Sequence, residues 1–462
     1  MIATLARAAA ATGAEFEGDD RPFSRPITDS RQVGEGDLFF AMRGEAMDGH
    51  RFVADALAAG AAAVVVEHDL AAELPEAAGR QLIVADTRLA LGLLGGHARL
   101  AWGGPLVAVT GNSGKTTVKE LVKSILEVAA GDDQRVLATQ GNLNTYVGVP
   151  QTLCRLRDHH RFAVVELGAN HVGEIAWTAP LARPQVAVIT NVTGAHAGEF
   201  GGLARIAQAK AEVLLGLAPN GVAVLNRDDR FYPLWRQMAL LRGEPSMLVD
   251  FGLDPQARIG AERIVHDDDG RHRFVLRLDG QRVGEVALGL VGLHNVRNAL
   301  AASAAADALG VEPAAIIEGL ERVGDVGSRM TLRHGREGRR LLDDSYNANP
   351  GAFRAALETL ALQPAPRWCL MGAMAELGAE SAVRHAELGS YAKHLGIDAL
   401  IAYGADAAPA AEAFGGACFD DWQTFVDYVE AQLPAGASVL IKGSRSMRME
   451  RLVDRLSAAD AK

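Results

Sequence analysis

The stretch VAVTGNSGKTTVKEL, Val107 to Leu121, constrains this chain more than any other. An apolar run from Leu106 to Thr110 enters a glycine-bearing turn. Val118, Leu121, Val122, Ile125 and Leu126 follow at the i, i+3, i+4, i+7, i+8 spacing of a half-buried helix. Strand, tight turn and helix in direct succession predict an α/β sheet with a phosphate-binding loop at its edge. Gly111 and Gly114 permit backbone angles that a side chain blocks. The amides of Gly111, Asn112, Ser113, Gly114, Lys115, Thr116 and Thr117, with the helix N-terminus, form a cradle for anionic oxygens. Lys115 is placed to reach terminal phosphates and the Thr116 hydroxyl to hold Mg²⁺. One element departs from the common G-x-x-x-x-G-K-[ST] pattern: Val109 stands where the first glycine belongs.

The 462-residue chain is too long for one core, so several domains are expected. A net charge of −11 disfavours a non-specific nucleic-acid binder. No apolar run reaches the ~18 residues of a membrane span. The Ala-rich start, MIATLARAAAATGAEF, lacks a basic n-region and reads as a helix of the mature protein. Cys154, Cys369 and Cys418 are far apart and form no metal spacing, as expected of buried thiols in a reducing cytoplasm.

Apolar runs at 81–86, 105–110, 161–167, 185–191, 221–226, 367–371, 398–403 and 437–442 read as strands. Most are continuous rather than alternating, the pattern of parallel strands covered on both faces. The segment 255–290 alternates instead and contains Asp279-Gly280, which predicts antiparallel ribbons around a tight turn. The fold class is therefore α/β. Three domains are expected: 1–84, a central 85–326 with the glycine loop, and 327–462.

Ligands of open α/β sheets sit beyond the carboxyl ends of the strands. There VVELGANHVGE places Glu166, and VAVITNVTGAHAGEF places Asn191, Thr193 and His196. Glu166 with Thr116 and phosphate oxygens makes a reasonable Mg²⁺ set. His196 is a less typical Mg²⁺ partner and alone reads more often as a plain loop residue. Lys210, in the helical IAQAKAEVLLGL, reads from pattern as a solvated surface lysine. TQGNLNTYVGVP (139–150) offers Asn142 and Asn144 to a sugar or peptide, or is an ordinary connection. GLHNVRNALAA sets Asn295 and Asn298 one turn apart, suited to an adenine edge, although Asn295 alone fits a helix cap. DDSYNANP (343–350) and IKGSRSMRME (441–450) are polar loops after strands. The second suits a carboxylate or phosphate, or begins a basic helix.

Together these motifs resemble the Mur ligase family, the ATP-dependent amide-forming enzymes of peptidoglycan precursor synthesis. TGNSGKTT, VVELGANHVGE, GLHNVRNALAA and the lysine of AKAEVL match features shared across the family. DDSYNANP and KGSRSMRME narrow the resemblance to ligases that add D-alanyl-D-alanine to UDP-N-acetylmuramoyl-tripeptide. The N-terminal ITDSRQVGEGDLFFAMRGEAMDGHRFV (27–53) resembles a UDP-substrate domain. The resemblance implies three domains: an N-terminal substrate unit, a central P-loop mononucleotide-binding parallel sheet and a C-terminal Rossmann-like unit.

The resemblance also implies roles that spacing does not show. Lys115 and Thr116 would bind ATP phosphates and Mg²⁺. Glu166 and His196 would hold Mg²⁺, and a carbamylated Lys210 would help place a second ion. Asn295 and Asn298 would face adenine. Arg329, Asp344 and Lys442 would line the cleft before the last domain. Ser30, Arg31, Asn142 and Asn144 would contact the UDP-muramoyl substrate, and Asn347, Asn349, Ser444 and Arg445 the dipeptide. A cytoplasmic monomer without nucleic-acid or membrane-spanning partners is expected. Ala373, in LMGAMAELG, departs from the acidic residue typical of the family's loop. The Asp-Asn-Pro-Arg motif of the sister ligase that adds a diamino acid is absent. A non-catalytic nucleotide switch would not need the two polar loops of the third domain.

Overall fold

The structure is a computed structural model describing residues 4–44, 47–193, 200–241 and 248–458. It builds on three sheets of four, nine and six strands, in chain order. The first sheet is parallel throughout: β1 (Pro26–Ile27), β2 (Leu38–Phe40), β3 (Ala63–Val66) and β4 (Gln81–Ile83) lie side by side in that order. Its side chains alternate between two cores, as strand geometry requires. Leu38, Phe40 and Val65 pack with the helix Leu5–Thr12, while Phe39, Val64 and Val66 pack with Val53 and Leu57.

The second sheet carries the glycine loop. Its strands are β5 (Leu106–Thr110), β6 (Val136–Ala138), β7 (Phe162–Glu166), β8 (Val186–Ile189), β9 (Val222–Asn226), β10 (Leu248–Phe251), β11 (Ile259–His266), β12 (Arg271–Leu278) and β13 (Gln281–Val291). They run β6-β7-β5-β8-β9-β10-β11 in parallel, with antiparallel β12 and β13 at the edge. Continuous apolar strands match helices on both faces. Val107 and Val109 face a core shared with the helices Lys115–Ala130 and Leu293–Asp307. Leu106 and Ala108 face the opposite core, with Ile175 and Ile206. The expected antiparallel ribbon is present, and its turn residues Asp279 and Gly280 both take positive φ, at 47° and 79°. The helix Thr87–Trp102 packs on both units: Leu91 and Leu94 join the first core, and Arg99 donates to the Ala182 carbonyl at 2.7 Å.

The third sheet orders β14 (Thr331–His334), β15 (Arg340–Asp344), β19 (Ser438–Lys442), β16 (Arg367–Gly372), β17 (Ala399–Tyr403) and β18 (Ala417–Phe419). All pairs but β14–β15 are parallel. The register of β15 with β19 sets Asp344 beside Lys442. Every strand read from a continuous apolar run is present. The short β2, β3, β6, β10, β14 and β18, of three or four residues, were not singled out by periodicity. Among the described residues no helix is long and apolar enough to cross a membrane.

Candidate active site

The carboxyl ends of β5, β7, β8 and β9 open onto a cleft of about 660 Å³ whose opposite wall is the start of the third unit. Val109, where the longer loop signature has a glycine, is the penultimate residue of β5, fully buried and in register with Glu166 and Val188. The chain turns only at Gly111, with φ 141°, and again at Gly114, with φ 79°. A Cβ at Gly111 would collide with Thr190, and one at Gly114 with Asn298. The turn is therefore shorter than the common loop, and its first tight point lies two residues later.

Asn191 and Thr190 hold this turn. Asn112 N–H donates to the Asn191 carbonyl at 2.9 Å, and Ser113 N–H to Asn191 Oδ1 at 3.0 Å. Thr190 Oγ1 donates to the Ser113 carbonyl at 2.7 Å. Lys115 Nζ donates to the Asn112 carbonyl at 3.1 Å. Burial, and then the Arg329 charge, push the Lys115 amine below its ordinary value, against the pull of Glu166.

Glu166 is 2% exposed and accepts from Thr116 Oγ1 at 2.8 Å and from Asn144 Nδ2 at 2.7 Å. Its own N–H donates to Thr139 Oγ1 at 2.9 Å. Asn142, exposed, lines the cleft beside it. A buried carboxylate held only by neutral donors beside a hydroxyl is a hard oxygen pair, the donor type Mg²⁺ prefers, with coordination left for phosphate and water. Among the described residues no cluster of three or more His, Cys, Asp or Glu forms a closed metal cage. His196 lies outside the described residues.

Lys210 overturns the pattern reading of a solvated lysine. It is 2% exposed, with Nζ 3.3 Å from the Ala169 carbonyl and 5.4 Å from the Phe200 ring centroid. Burial, reinforced by the Lys115 charge, brings its amine down to about 7. Periodicity misplaced it because the short helix Leu203–Ala211 buries Ile206, Ala207, Ala209 and Ala211 in the core of the central unit, so its last turn faces away from water.

The helix cap read for Asn295 is also corrected. The helix Leu293–Asp307 starts from Gly292 without a side-chain cap. Asn295 instead donates to the Val291 carbonyl at 2.8 Å, and Asn298 Nδ2 donates to Asn295 Oδ1 at 2.8 Å. Both line the cleft.

On the facing wall, Lys442 is 2% exposed, ion-paired with Asp344, and donates to the Asn347 carbonyl at 2.9 Å. Burial pushes the Asp344 carboxyl up, against the opposing pull of Lys442. The Arg329 guanidinium lies 4.0 Å from the Tyr346 ring centroid and that of Arg445 5.8 Å from it. Asn347 lines the cleft; its Oδ1 accepts from Ala348 N–H at 2.9 Å. Asn349 caps the helix Pro350–Ala361 by accepting from Ala352 N–H at 2.9 Å. Ser444, 3% exposed, donates its hydroxyl to the Ala373 carbonyl at 2.7 Å. At position 373 the backbone carbonyl thus makes the contact, and the alanine side chain is buried.

Ser30 and Arg31 lie outside the cleft lining, in a turn after β1 where Arg31 makes two hydrogen bonds to Asp29 at 2.9 and 2.8 Å. Gln151 Nε2 donates to Thr28 Oγ1 at 3.1 Å, tying that turn to the central unit. The cleft also contains residues not singled out from sequence: Asp228, Asp229, His294 and Arg297. The first two follow β9 in VAVLNRDD, a strand-end signal of the kind that pointed to Glu166.

Three family profiles cover most of the chain: "Mur ligase family, catalytic domain" at residues 27–99, "Mur ligase middle domain" at 109–306, and "Mur ligase, glutamate ligase domain" at 328–445. The UDP-N-acetylmuramoyl-tripeptide–D-alanyl-D-alanine ligase of Escherichia coli strain K12 is 38% identical over 97% of both chains. A crystal structure of MurF from Acinetobacter baumannii superposes with a TM-score of 0.90 at 37% identity, covering 98% of each chain. MurF from Thermotoga maritima, in complex with ADP, gives 0.80 at 29% identity, over 94% of this chain and 96% of that one. With these three profiles in order along the sequence and relatives this similar over nearly the whole length, the chain belongs to the Mur ligase family.

Proposed function

We propose that this protein is the ATP-dependent ligase that joins D-alanyl-D-alanine to UDP-N-acetylmuramoyl-tripeptide. The observation that carries the reading is the cleft itself. A phosphate loop with a buried carboxylate–hydroxyl pair, Glu166 and Thr116, faces the Asp344–Lys442 pair of another unit across one opening. The units are taken as 1–84 for the UDP substrate, 85–326 for ATP and 327–462 for closure and the dipeptide, in a cytoplasmic monomer.

The reaction is acyl transfer through an activated carboxylate. The terminal carboxylate of the tripeptide attacks the γ-phosphorus of ATP, forming an acyl phosphate and releasing ADP. The amine of D-alanyl-D-alanine adds to the acyl carbon, and the tetrahedral intermediate expels phosphate with loss of the amine proton. The loop amides and Lys115 position the phosphates and offset charge that grows in the transition state. Thr116 and Glu166, with His196, would hold Mg²⁺, which supplies Lewis-acid charge to the phosphoryl oxygens. The low proton affinity of Lys210 supports its carbamylation: a neutral amine adds to CO₂, a C–N bond forms and one proton leaves. The resulting anion would suit a second Mg²⁺ and offset the Lys115 charge.

Asn295 and Asn298 would read adenine, Arg329 and Asp344 would complete the nucleotide site, and Lys442 would line its far side. Ser30, Arg31, Asn142 and Asn144 would approach the UDP-muramoyl substrate, and Asn347 and Arg445 the dipeptide. Ser444 and Asn349, also read toward the dipeptide, have their polar groups engaged within the chain. Phosphate release from ATP tests the function. Release that requires UDP-muramoyl tripeptide together with D-alanyl-D-alanine is expected. Release with the dipeptide precursor and a free diamino acid, or with neither pair, would overturn it.

A further inference from the structure

We infer that Asn349 is a positioning residue that clamps the Ser113 hydroxyl of the phosphate loop, so that docking of the C-terminal unit and the conformation of the loop become one event. The inference rests on the reading of that loop as the ATP phosphate site. Asn349 Nδ2 donates to Ser113 Oγ at 3.0 Å. Ser113 Oγ and Thr193 Oγ1 share a hydrogen bond at 3.0 Å, and Thr193 Oγ1 donates to Asn349 Oδ1 at 3.2 Å. The three side chains close a triangle from three places: the turn after β5, the segment after β8, and the N-cap of Pro350–Ala361.

Two features fix the direction of this clamp. Asn349 Oδ1 accepts from Ala352 N–H at 2.9 Å, so the oxygen must point into the helix and the NH₂ toward the loop. Ser113 has both backbone groups held by the central unit, its N–H on Asn191 Oδ1 and its carbonyl accepting from Thr190 Oγ1 and Asn191 Nδ2. Its hydroxyl is the group left for the other unit. Backbone proximity makes room for the contact: a Cβ on Gly351 would collide with Thr193. Rotating the C-terminal unit away would break two of the three hydrogen bonds at once and release the Ser113 hydroxyl from its interdomain partner.

A double-mutant cycle tests the clamp. Asn349→Gly costs the N-cap only a few tenths of a kcal/mol and removes every side-chain group that Ser113 could bond. Ser113→Ala removes the other partner. Each is expected to lower kcat roughly threefold to tenfold, the range of one net hydrogen bond, with the KM for ATP little changed. The double variant should lose no more than the worse single. A dye pair on the central and C-terminal units, read with ADP and without turnover, should shift toward longer separations in both singles and no further in the double. Additive losses, or singles that leave kcat and the dye separation unchanged, would overturn the inference. A raised KM for D-alanyl-D-alanine in N349G alone would also overturn it, by making Asn349 a dipeptide contact. Failure of the ATP reading would appear separately, as absent ADP binding by calorimetry in the unsubstituted protein. A matched thermal midpoint for N349G excludes misfolding.

Discussion

The two walls of the cleft solve the same problem differently. Each buries a lysine to 2% exposure. On the C-terminal wall, Lys442 sits in register with Asp344 and pairs with it, so the cation is neutralised within the protein. On the central wall, Lys210 has no ion pair within contact distance among the described residues; its near contacts are the Ala169 carbonyl and the Phe200 ring. The half-buried Lys115 repels its charge, while Glu174 and Glu212 act on it only at longer range and in the opposite sense. A charge removed from water without a paired partner gives up its proton more readily. One wall is built to keep a charge, and the other to hold an amine close to neutrality, where it can react.

Breaking the pair on the first wall should have the largest effect. Asp344→Ala strands the Lys442 ammonium and is expected to cost about 3–5 kcal/mol of stability, the scale for removing one member of a buried ion pair. Urea denaturation of the single variant, compared with Asp344→Ala/Lys442→Met, measures it. The double should recover much of the loss. No recovery would mean that Asp344 acts through the Met330 N–H it accepts from rather than through Lys442.

Next in size is the activity of the second wall. Lys210→Ala should lower ligase turnover by about a hundredfold to a thousandfold, the scale of losing one preorganised charge at a reacting phosphoryl group. Added short carboxylates such as formate should restore part of it by supplying the missing anion. Full activity in the variant would remove Lys210 from the site.

The sequence made one wall legible and half of the other. Apolar runs located β5, β7, β8 and β19, and the strand-end rule then found Glu166 and Lys442. What periodicity could not show was burial that depends on the far side of a packing contact. Lys210 ends a helix of only nine residues, too short for its pattern to show which face is covered, and its enclosure comes from Ala169 and Phe200, which lie outside that helix. Polarity marked DDSYNANP as a functional loop, and only the family resemblance pointed Asn349 toward the dipeptide. The Asn349 amide is in fact engaged by Ser113, 236 positions earlier in the chain, and by its own helix. Local sequence carries no signal for such a pairing.

A smaller effect separates the two lysines by pH. Lys210→Met should raise the thermal midpoint by about 2 °C at pH 7 in bicarbonate-free buffer, since it replaces a buried amine whose burial outweighs the pull of Glu174 and Glu212 with an apolar chain of similar length. The native amine titrates near 7 and its unfolded counterpart near 10.5. Below pH 7 both states are protonated and the native protein bears the full penalty. Between 7 and 10.5 the unfolded chain binds the extra proton, so native stability rises with pH. The advantage of Lys210→Met should therefore shrink as pH climbs through that window. A gap that stays constant would show that the native amine keeps its proton through the window, with an affinity that burial has not lowered.

The smallest expected effect tests whether the C-terminal wall is as self-contained as its ion pair implies. Ser444 spends its hydroxyl on the Ala373 carbonyl, which also accepts the Ser444 N–H at 3.1 Å. Ser444→Ala leaves that carbonyl one donor, so no buried acceptor is orphaned and the loss should stay near 1 kcal/mol. Thermal denaturation checks the stability, and initial rates at varied D-alanyl-D-alanine check the site. An unchanged KM is expected, because a hydroxyl committed to the backbone has little to offer a ligand. A several-fold rise in KM with unchanged stability would mean that the hydroxyl turns toward the dipeptide when the cleft is filled. The C-terminal wall would then share with the central wall the property of holding polar groups in reserve for the reaction.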